Sequence, residues 1–257
     1  MPNYLNGFNK QGLIKWGGES SANFGMVVSK APAFDKPTRK QTIYNVPGRN
    51  GSIIFQQDAF EDVERAYDVW IDENTEYDSG GTPVSGTLPE RIHAFTAWLN
   101  SKTGWQELED SFETDYFRLA YYSGGNDFSN EMMAYGRSKL TFTCRPERFL
   151  KSAKTAVTVT SGQTLTNPTK FTSKPLIHIE VSSPRTIGIT LGGMTISAAV
   201  TDYINIDCDS MNAYRLPTEN KNSSVTGSIP VMPSGANTIT IAGSPSLVQI
   251  TPRYFTV

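Results

Sequence analysis

Apolar and polar residues alternate along most of the carboxyl-terminal half of the chain. In residues 177–181 and 187–191 every second position is Ile, Leu or Val. Because successive side chains of a strand point to opposite faces of a sheet, this period predicts strands with one buried face. Gly192-Gly193 predicts a turn into a third strand that carries Met194, Ile196 and Ala198. Further pairs with the same spacing are Ile204 and Ile206, Ile239 and Ile241, and Val248 and Ile250. Strand signals every ~8–12 residues are typical of a sandwich or jelly roll.

The amino-terminal half mixes helical and extended patterns. Thr87 followed by Leu-Pro-Glu forms a capping box, and Ile92, Phe95, Trp98 and Leu99 make an apolar stripe at helical spacing. These signals predict a helix from about Leu88 to Lys102, ended by Thr103-Gly104. Strands are predicted from Phe117 to Tyr122 and from Ser138 to Cys144. The chain is therefore mainly β, with one helix in its amino-terminal half.

The segment from Val63 to Ile71 fits two structures. Val63, Ala66, Tyr67, Trp70 and Ile71 have helical spacing, whereas Tyr67, Val69 and Ile71 alternate as in a strand. Periodicity alone does not decide between them.

Composition changes near Leu150. Residues 1–150 carry 15 basic and 20 acidic side chains, net −5, whereas residues 151–257 carry 8 and 5, net +3. Ser and Thr rise from 21 in the first part to 30 in the shorter second part. This change indicates a boundary between two domains. The whole chain has a formal charge of −2, so it lacks the basic excess that binding to a phosphate backbone requires.

Reactive groups are sparse. His93 lies inside the predicted helix and His178 alternates with apolar neighbours, so both are interpreted as surface or half-buried polar residues. The chain contains no HExxH, GxSxG or P-loop string. Residues 58–78 hold nine carboxylates and one Arg, without the spacing of an EF-hand, and are interpreted as the solvated face of an edge element. We therefore predict no catalytic residue, no metal site and no cofactor.

Two cysteines, Cys144 and Cys208, are too few for a disulfide framework or a four-thiolate zinc site. Each shares the parity of an apolar strand face and is interpreted as a small buried filler. The residues alone do not decide whether they pair, although a reducing compartment favours free thiols. The start, MPNYLNGFNK, lacks the pattern of a signal peptide, and no apolar stretch reaches the ~20 residues of a membrane span. Synthesis in a cytoplasm and no membrane contact are expected.

Several strings in a fixed order carry a resemblance. They are FGMVVSK, VPGRNGSI, the helix with AFTAWL, GWQELEDSFETDYFRLAYY, KLTFTCRPERF, and a Ser/Thr-rich part ending in SGANTITIAG and ITPRYF. This series resembles the distal tail (Dit) proteins of long-tailed phages (siphoviruses), and it spans nearly the whole chain. Pro47, Gly48, Arg49 and Gly51 match a structural turn of the family's first domain. Phe142, Cys144, Pro146 and Phe149 match the apolar strand and Pro turn that close that domain.

The resemblance implies a two-part plan. Residues 1–147 would form an α+β belt domain that assembles into a ring, and residues 148–257 a galectin-like or carbohydrate-module-like β-sandwich outside it. It also implies a strand rather than a helix for Val63 to Ile71. The polar stretch DENTEYDSGGTPVSG, residues 72–86, departs from the family and is interpreted as a flexible loop.

For function, the resemblance implies a virion structural protein at the phage tail tip, made in the bacterial host cytoplasm. Six copies would join the tail tube protein to the hub protein of the baseplate and dock receptor-binding proteins, and DNA would pass through the central channel. Two alternatives differ in class. The first is a carbohydrate-binding module that adheres to host cell-wall saccharide, which the absence of Trp from the second half weakens. The second is a wall-degrading hydrolase that uses two acids of the first half.

Overall fold

The computed structural model describes residues 12–34, 36–72, 85–124, 128–131 and 135–257. The predicted loop at 72–86 therefore lies mostly outside the described residues. The chain divides into two compact units, Met1–Arg148 with Val257, and Phe149–Thr256. Across the described residues, no helix combines the length and apolar character needed to cross a bilayer.

The first unit is built around one antiparallel sheet, one α-helix and a separate hairpin. Its elements are β1 Ile14–Trp16, β2 Glu19–Ser20, a 3-10 helix Ser21–Phe24, β3 Met26–Val28, β4 Arg39–Tyr44, β5 Ile53–Phe60, β6 Val63–Asp72, α1 Leu88–Ser101, β7 Gln106–Asp110, β8 Tyr116–Tyr122, β9 Ser129–Glu131 and β10 Tyr135–Leu150. The strand order of the main sheet is β2-β1-β7-β8-β10-β6-β3, and β9 pairs with β10. β4 and β5 pair with each other as a two-stranded sheet.

The helix α1 begins and is capped as its sequence predicts. The Glu90 carboxylate accepts hydrogen bonds from the backbone N–H of Thr87 at 2.8 Å and from its hydroxyl at 3.1 Å. Such a contact uses a polar group that the helix itself leaves free at its start. Phe95, Trp98 and Leu99 are buried. The helix ends at Ser101, one residue before the predicted end.

The core of the first unit lies between α1 and one face of the sheet. The Trp16 ring meets Trp98 of the helix edge to face, with centroids 5.8 Å apart, and lies 5.5 Å from Phe142 of β10. The Tyr67 ring also packs against Phe142, edge to face, with centroids 6.1 Å apart. Large aromatic rings thus fill the space between helix and sheet, and each contributes a large buried area.

The segment at Val63 is a strand, which confirms the implication of the resemblance over the helical alternative. β6 pairs with β10 from Val63 to Asp72 and with β3 from Val69 to Ile71. It is therefore not an edge strand over its second half, which corrects that part of the sequence interpretation. β10 also continues through Pro146 to Leu150, so Pro146 does not form the expected turn. Its last pair with β6 is at Cys144, and the missing N–H of Pro146 removes no bond to that strand.

The second unit consists of β-sheets in the described structure. Its elements are a 3-10 helix Lys151–Ala153, β11 Val157–Thr158, β12 Thr164–Asn167, β13 Leu176–Glu180, β14 Arg185–Leu191, β15 Met194–Val200, β16 Tyr203–Asp207, β17 Asn212–Tyr214, a 3-10 helix Asn222–Ser224, β18 Val225–Gly227, β19 Gly235–Thr238, β20 Thr240–Ala242, β21 Leu247–Thr251 and β22 Phe255–Thr256. The sheet orders are β11-β21-β13-β16-β17, β18-β15-β14-β20, and β12-β19. One hydrophobic core takes its side chains from the two larger sheets, including Ile177 and Ile179 of β13 and Ile187 and Ile189 of β14.

Two turns of the second unit decide its topology. Leu191 pairs with Met194, so Gly192-Gly193 is a two-residue hairpin loop, and both glycines have positive φ, 60° and 78°. This is the geometry of a type I′ turn. The predicted strand at Ile239 and Ile241 is wrong in one respect. The strand is interrupted at Ile239, between β19 and β20. β19 pairs with β12, whereas β20 pairs with β14. The apolar alternation therefore continues while the chain passes from one sheet to another.

Cys144 and Cys208 are buried, are not joined by a disulfide, and fill space in the cores of the first and second unit. Burial raises the pKa of the Cys208 thiol to about 12, and the neighbouring Asp207 charge acts in the same direction. The thiol is therefore protonated and unreactive at neutral pH.

Candidate functional site

The hairpin of β4 and β5 is a sheet of its own. Its pairs are Tyr44 with Ile53, Ile43 with Ile54, Thr42 with Phe55, Gln41 with Gln56, and Arg39 with Phe60. The register shifts between Gln41 and Arg39, and Asp58, with φ of 49°, lies in the resulting bulge. Among the described strands neither β4 nor β5 has a second partner, so both outer edges of the hairpin are open.

The four residues predicted as a structural turn lie together at the tip of this hairpin. The Arg49 N–H donates to the Val46 carbonyl at 3.2 Å, so Pro47 and Gly48 are the central residues of a β-turn. Pro fixes φ at the first central position, and Gly48 has the positive φ, 77°, that a type II turn requires at the second. Gly51 also has positive φ, 83°, and lies two residues before β5. All four are exposed.

Both faces of the hairpin carry exposed apolar side chains. Directly paired residues of a hairpin share a face, and successive residues alternate. Tyr44 and Phe55 therefore lie on one face, where their rings meet edge to face at 5.5 Å while 54% and 59% of their areas stay exposed. Ile43 and Ile54 lie on the other face and are 53% and 54% exposed.

This exposure is unusual for a hairpin of a folded protein. An antiparallel pair normally rests one face on a core, and an isolated two-stranded hairpin is at best marginally stable in water. In the described structure the contacting aromatic rings on one face and the paired Ile side chains on the other stay more than half exposed, and the segment before the hairpin adds Phe34, 80% exposed. Contiguous apolar surface and open strand edges mark an interaction site. The hairpin, residues 39–60, is therefore the candidate functional site.

A buried network of charges lies where the hairpin joins the sheet. Arg65, 1% exposed, follows β5 by five residues. Its Nη2 donates to Asp110 Oδ2 at 2.8 Å and lies 3.2 Å from Glu113 Oε2. Its Nε donates to the Tyr67 hydroxyl at 3.1 Å, and its Nη1 donates to the Ala33 carbonyl at 3.2 Å.

Two more arginines complete the network around Glu113. Arg118 Nη2 donates to Glu113 Oε2 at 3.0 Å, and Arg148 Nη1 donates to Glu113 Oε1 at 2.8 Å. Burial works against the charge of Glu113, but the hydrogen bonds and charges of Arg118, Arg148 and Arg65 prevail and lower its pKa. The network thereby joins β6, β8, β10 and the loop after β7.

Asp110 and Tyr67 are coupled through the same guanidinium. Burial also opposes the charge of Asp110, yet Arg65 and the hydrogen bonds from Arg65, Tyr67 and the backbone hold its pKa below the ordinary value. Burial and the Asp110 charge raise the pKa of Tyr67 well above its usual value. The phenol is thus neutral, and it donates to Asp110 Oδ2 at 2.8 Å.

The described part of the stretch 58–78 carries the solvated charges that its sequence predicts on one face only. Its carboxylates at Asp58, Glu61, Asp62, Glu64 and Asp68 are exposed, whereas Arg65 is in the core. The signal was present in the pattern, because Arg65 has the same parity as Val63, Tyr67 and Val69 of the buried face.

The second unit presents a row of polar side chains across its five-stranded sheet. The register places Thr158, Gln249, His178, Asn205 and Tyr214 side by side. His178 Nδ1 lies 2.8 Å from Asn205 Oδ1, and Gln249 Nε2 donates to Thr158 Oγ1 at 3.4 Å. The other ring nitrogen of His178 lies 2.9 Å from Glu180 Oε1. These side chains are exposed or half-buried on the face opposite the core.

The remaining candidates for chemistry do not converge. His93 is exposed on α1. Within the described ranges, His, Cys, Asp and Glu side chains form no group of three or more that could hold a metal ion. Of the tryptophans, Trp16 and Trp98 are core residues, as expected. Trp105 is 38% exposed, and its ring lies 5.1 Å from that of Tyr121 and 5.2 Å from the Arg145 guanidinium.

Comparison with known proteins supports the fold through structure alone. No protein-family model matches the chain, and no curated protein matches its sequence. Among solved structures, the chain is similar to SPP1 Dit (gp 19.1), described as a paradigm of the hub adsorption apparatus in phages that infect Gram-positive bacteria. The TM-score is 0.70 at 13% identity, and the match covers 95% of this chain and 99% of that one. The resemblance found in the sequence is thereby confirmed at the level of the fold: this chain has the α+β, mainly β fold of a phage distal tail protein.

Proposed function

We propose that the chain is a distal tail protein of a long-tailed phage, a structural component of the virion without enzymatic activity. Six copies form a ring that joins the tail tube to the baseplate hub and docks receptor-binding proteins, and DNA passes through its centre. Residues 1–147 form the ring, residues 148–257 lie outside it, and assembly follows synthesis in the host cytoplasm. The similarity to SPP1 Dit over nearly the full length of both chains supports this class of protein.

The observation that carries the assembly is the uncovered hairpin. A closed ring repeats one heterologous interface, in which a surface of each copy meets a different surface of the next. The hairpin suits one half of such an interface, because its two apolar faces are exposed and no described strand pairs with either of its outer edges. Insertion against a neighbouring copy would bury Tyr44, Phe55, Ile43 and Ile54 together.

The charge of the first part suits a channel for DNA. Residues 1–150 have a net charge of −5, and a bore without a basic excess gives a passing phosphate backbone no strong binding site. A bore lined with Lys and Arg would contradict this element of the proposal.

Assembly is tested by light scattering and negative-stain imaging of the purified chain. We expect a particle of about 170 kDa, six times the chain mass of 28.3 kDa, with a central hole. Phe55→Asp places a charge on the aromatic face of the hairpin and should shift the particle to monomers. Met211→Asp is the matched control, because Met211 is 71% exposed in a turn of the second unit, and its ring should persist.

Monomers of the unaltered chain at every concentration, even with tube and hub proteins added, would contradict the ring. Equal loss of assembly in both variants would show that any added charge disrupts the particle, and would remove the hairpin from the explanation.

A second candidate function, binding of cell-wall saccharide by the second unit, is favoured by the polar row on its five-stranded sheet. Imidazole, amide and hydroxyl groups can donate to and accept from sugar hydroxyls. Glycan-array binding that is lost in Asn205→Ala and retained in Ser228→Ala would support it. An array without signal would leave the unit with a scaffolding role.

A further inference from the structure

The segment that leads into the hairpin has no regular secondary structure in its described residues. Ser29 follows β3, and residues 30–38 lead from it to the start of β4. At its start, Ser29 N–H and hydroxyl both donate to the Asp68 carbonyl, at 2.8 and 2.9 Å. At its end, the Glu61 N–H donates to the Thr38 carbonyl at 2.8 Å and closes the base of the hairpin.

The two strands of the hairpin are therefore attached to the sheet in different ways. β5 passes into β6 through Glu61 and Asp62 alone, so a short link fixes it. β4 is reached only after the nine residues of the segment. A hairpin attached through one short link can swing about it, unless the other strand is also fixed.

The second attachment is the hydrogen bond from Arg65 Nη1 to the Ala33 carbonyl, at 3.2 Å. It meets the segment near its middle. The donor is immobile, because the same guanidinium is held by Asp110, Glu113 and Tyr67 in the core of the unit. A hydrogen bond from a charged, fixed donor is about twice as strong as one between neutral groups.

We propose that Arg65 is the positioning residue of the hairpin: it fixes residues 30–38 to the core and so aims the apolar faces of β4 and β5 at the neighbouring copy. The inference rests on the proposed assembly, and it names the residue that sets the geometry of the interface. Fixing the hairpin before contact reduces the conformational entropy that assembly must remove. Around a closed ring the same gain is repeated at every interface.

The first test is the rate of trypsin cleavage after Lys30. Lys30 and Ala31 are exposed, so cleavage there follows the local mobility of the segment. Arg65→Lys keeps a positive charge beside Asp110 but lacks the fork that reaches two acceptors at once. Cleavage should become roughly tenfold faster, as for the loss of one hydrogen bond from a charged group. Cleavage after Arg91, which is buried in α1, reports unfolding of the whole unit in the same digest.

Arg118→Lys is the matched control. Arg118 is 4% exposed and, like Arg65, contacts the Glu113 carboxylate. Its hydrogen bond joins it to Glu113 and not to residues 30–38. In Arg118→Lys, cleavage after Lys30 should become faster only in proportion to cleavage after Arg91, which reports unfolding of the whole unit. Arg65→Met is a more severe variant, and if it fails to fold, Arg65→Lys alone decides.

The second test is assembly of the same variants. Arg65→Lys should need roughly tenfold more protein than Arg118→Lys to form the ring, although its hairpin surface is unchanged. Cleavage after Lys30 at the wild-type rate in Arg65→Lys, or in fixed proportion to cleavage after Arg91, would overturn the proposal. A wild-type chain that never assembles would instead refute the proposed ring. The trypsin digest would still test whether Arg65 fixes the segment before the hairpin.

Discussion

At the scale of single residues, the charge network of Arg65 is the feature with the most direct consequences. A buried ion pair adds little net stability relative to apolar packing, but removal of one partner is costly because the other charge stays buried. The three arginines and two carboxylates are therefore mutually dependent. Their contribution persists only while both Asp110 and Glu113 are ionised.

That dependence predicts how stability changes with pH. The pKa of Asp110 is lower in the folded chain than its ordinary value of about 4, so its stabilising effect is complete above pH ~4 and is lost as pH falls through the folded pKa. Asp110→Asn should lower the free energy of unfolding at pH 7 by about 3 kcal/mol. The difference between wild type and variant should narrow steadily below pH 4.

Urea denaturation followed by tryptophan fluorescence measures this difference in the first unit alone, because Trp16, Trp70, Trp98 and Trp105 all precede residue 149. Other carboxylates also titrate in this range, so the readout is the gap between the two proteins. A gap that stays constant from pH 7 to pH 3 would show that Asp110 is not the titrating partner.

At the scale of elements, the β14–β15 hairpin shows which residues its turn requires. In the loop between β14 and β15, both Gly192 and Gly193 have positive φ, but their surroundings differ. A Cβ on Gly192 would lie 2.1 Å from the Val231 carbonyl oxygen, whereas a Cβ on Gly193 would meet nothing within 4 Å. The first position therefore combines conformational strain with a clash against backbone.

This difference predicts unequal effects of one substitution. Gly193→Ala should destabilise the chain by about 1 kcal/mol, the cost of placing Cβ in a left-handed conformation. Gly192→Ala should cost a further ~1–3 kcal/mol, because the Val231 backbone must move. Urea denaturation followed by circular dichroism compares the two variants. Equal effects would mean that the residues around Val231 yield without cost.

The sequence correctly predicted those elements in which apolar residues recur on a single buried face. The helix at Leu88 and the strands at Ile177 and Ile187 have a capping residue or a strict alternation, and the structure confirms them. The resemblance predicted the turn of the β4–β5 hairpin, Pro47 to Gly51, but its two strands were not predicted as a site. Its exposed apolar residues occur on both faces, so they show no period that reports one buried face.

Arg65 was missed for a related reason. Its partners Asp110 and Glu113 lie more than forty positions away, and only the fold brings them to the guanidinium. Short-range patterns record local geometry and burial, whereas long-range pairing of charges depends on topology.

At the scale of the whole molecule, the interface proposed for the ring is apolar, although the chain carries 48 charged side chains. The exposed Ile43, Tyr44, Ile54 and Phe55 of the hairpin lie next to its turn. Of its charged residues, Arg49 lies in the turn, and Arg39, Lys40 and Asp58 lie toward its base. Ion pairs at exposed sites contribute little and are screened by salt. Burial of apolar area should therefore supply most of the free energy of assembly.

The response of the assembly to salt separates these two sources of stability. Raising NaCl from ~0.1 to ~1 M shortens the range of charge interactions from about 10 to about 3 Å, but it does not weaken apolar burial. The 170 kDa particle should therefore persist in 1 M NaCl when measured by sedimentation velocity. Ile54→Lys, which adds charge on the second face of the hairpin, should dissociate it at both salt concentrations, because an ammonium buried against apolar side chains stays costly whatever the ionic strength. A particle that dissociates in 1 M NaCl without any substitution would mean that charged residues outside the hairpin hold the copies together, and the candidate site would then lie elsewhere on the first unit.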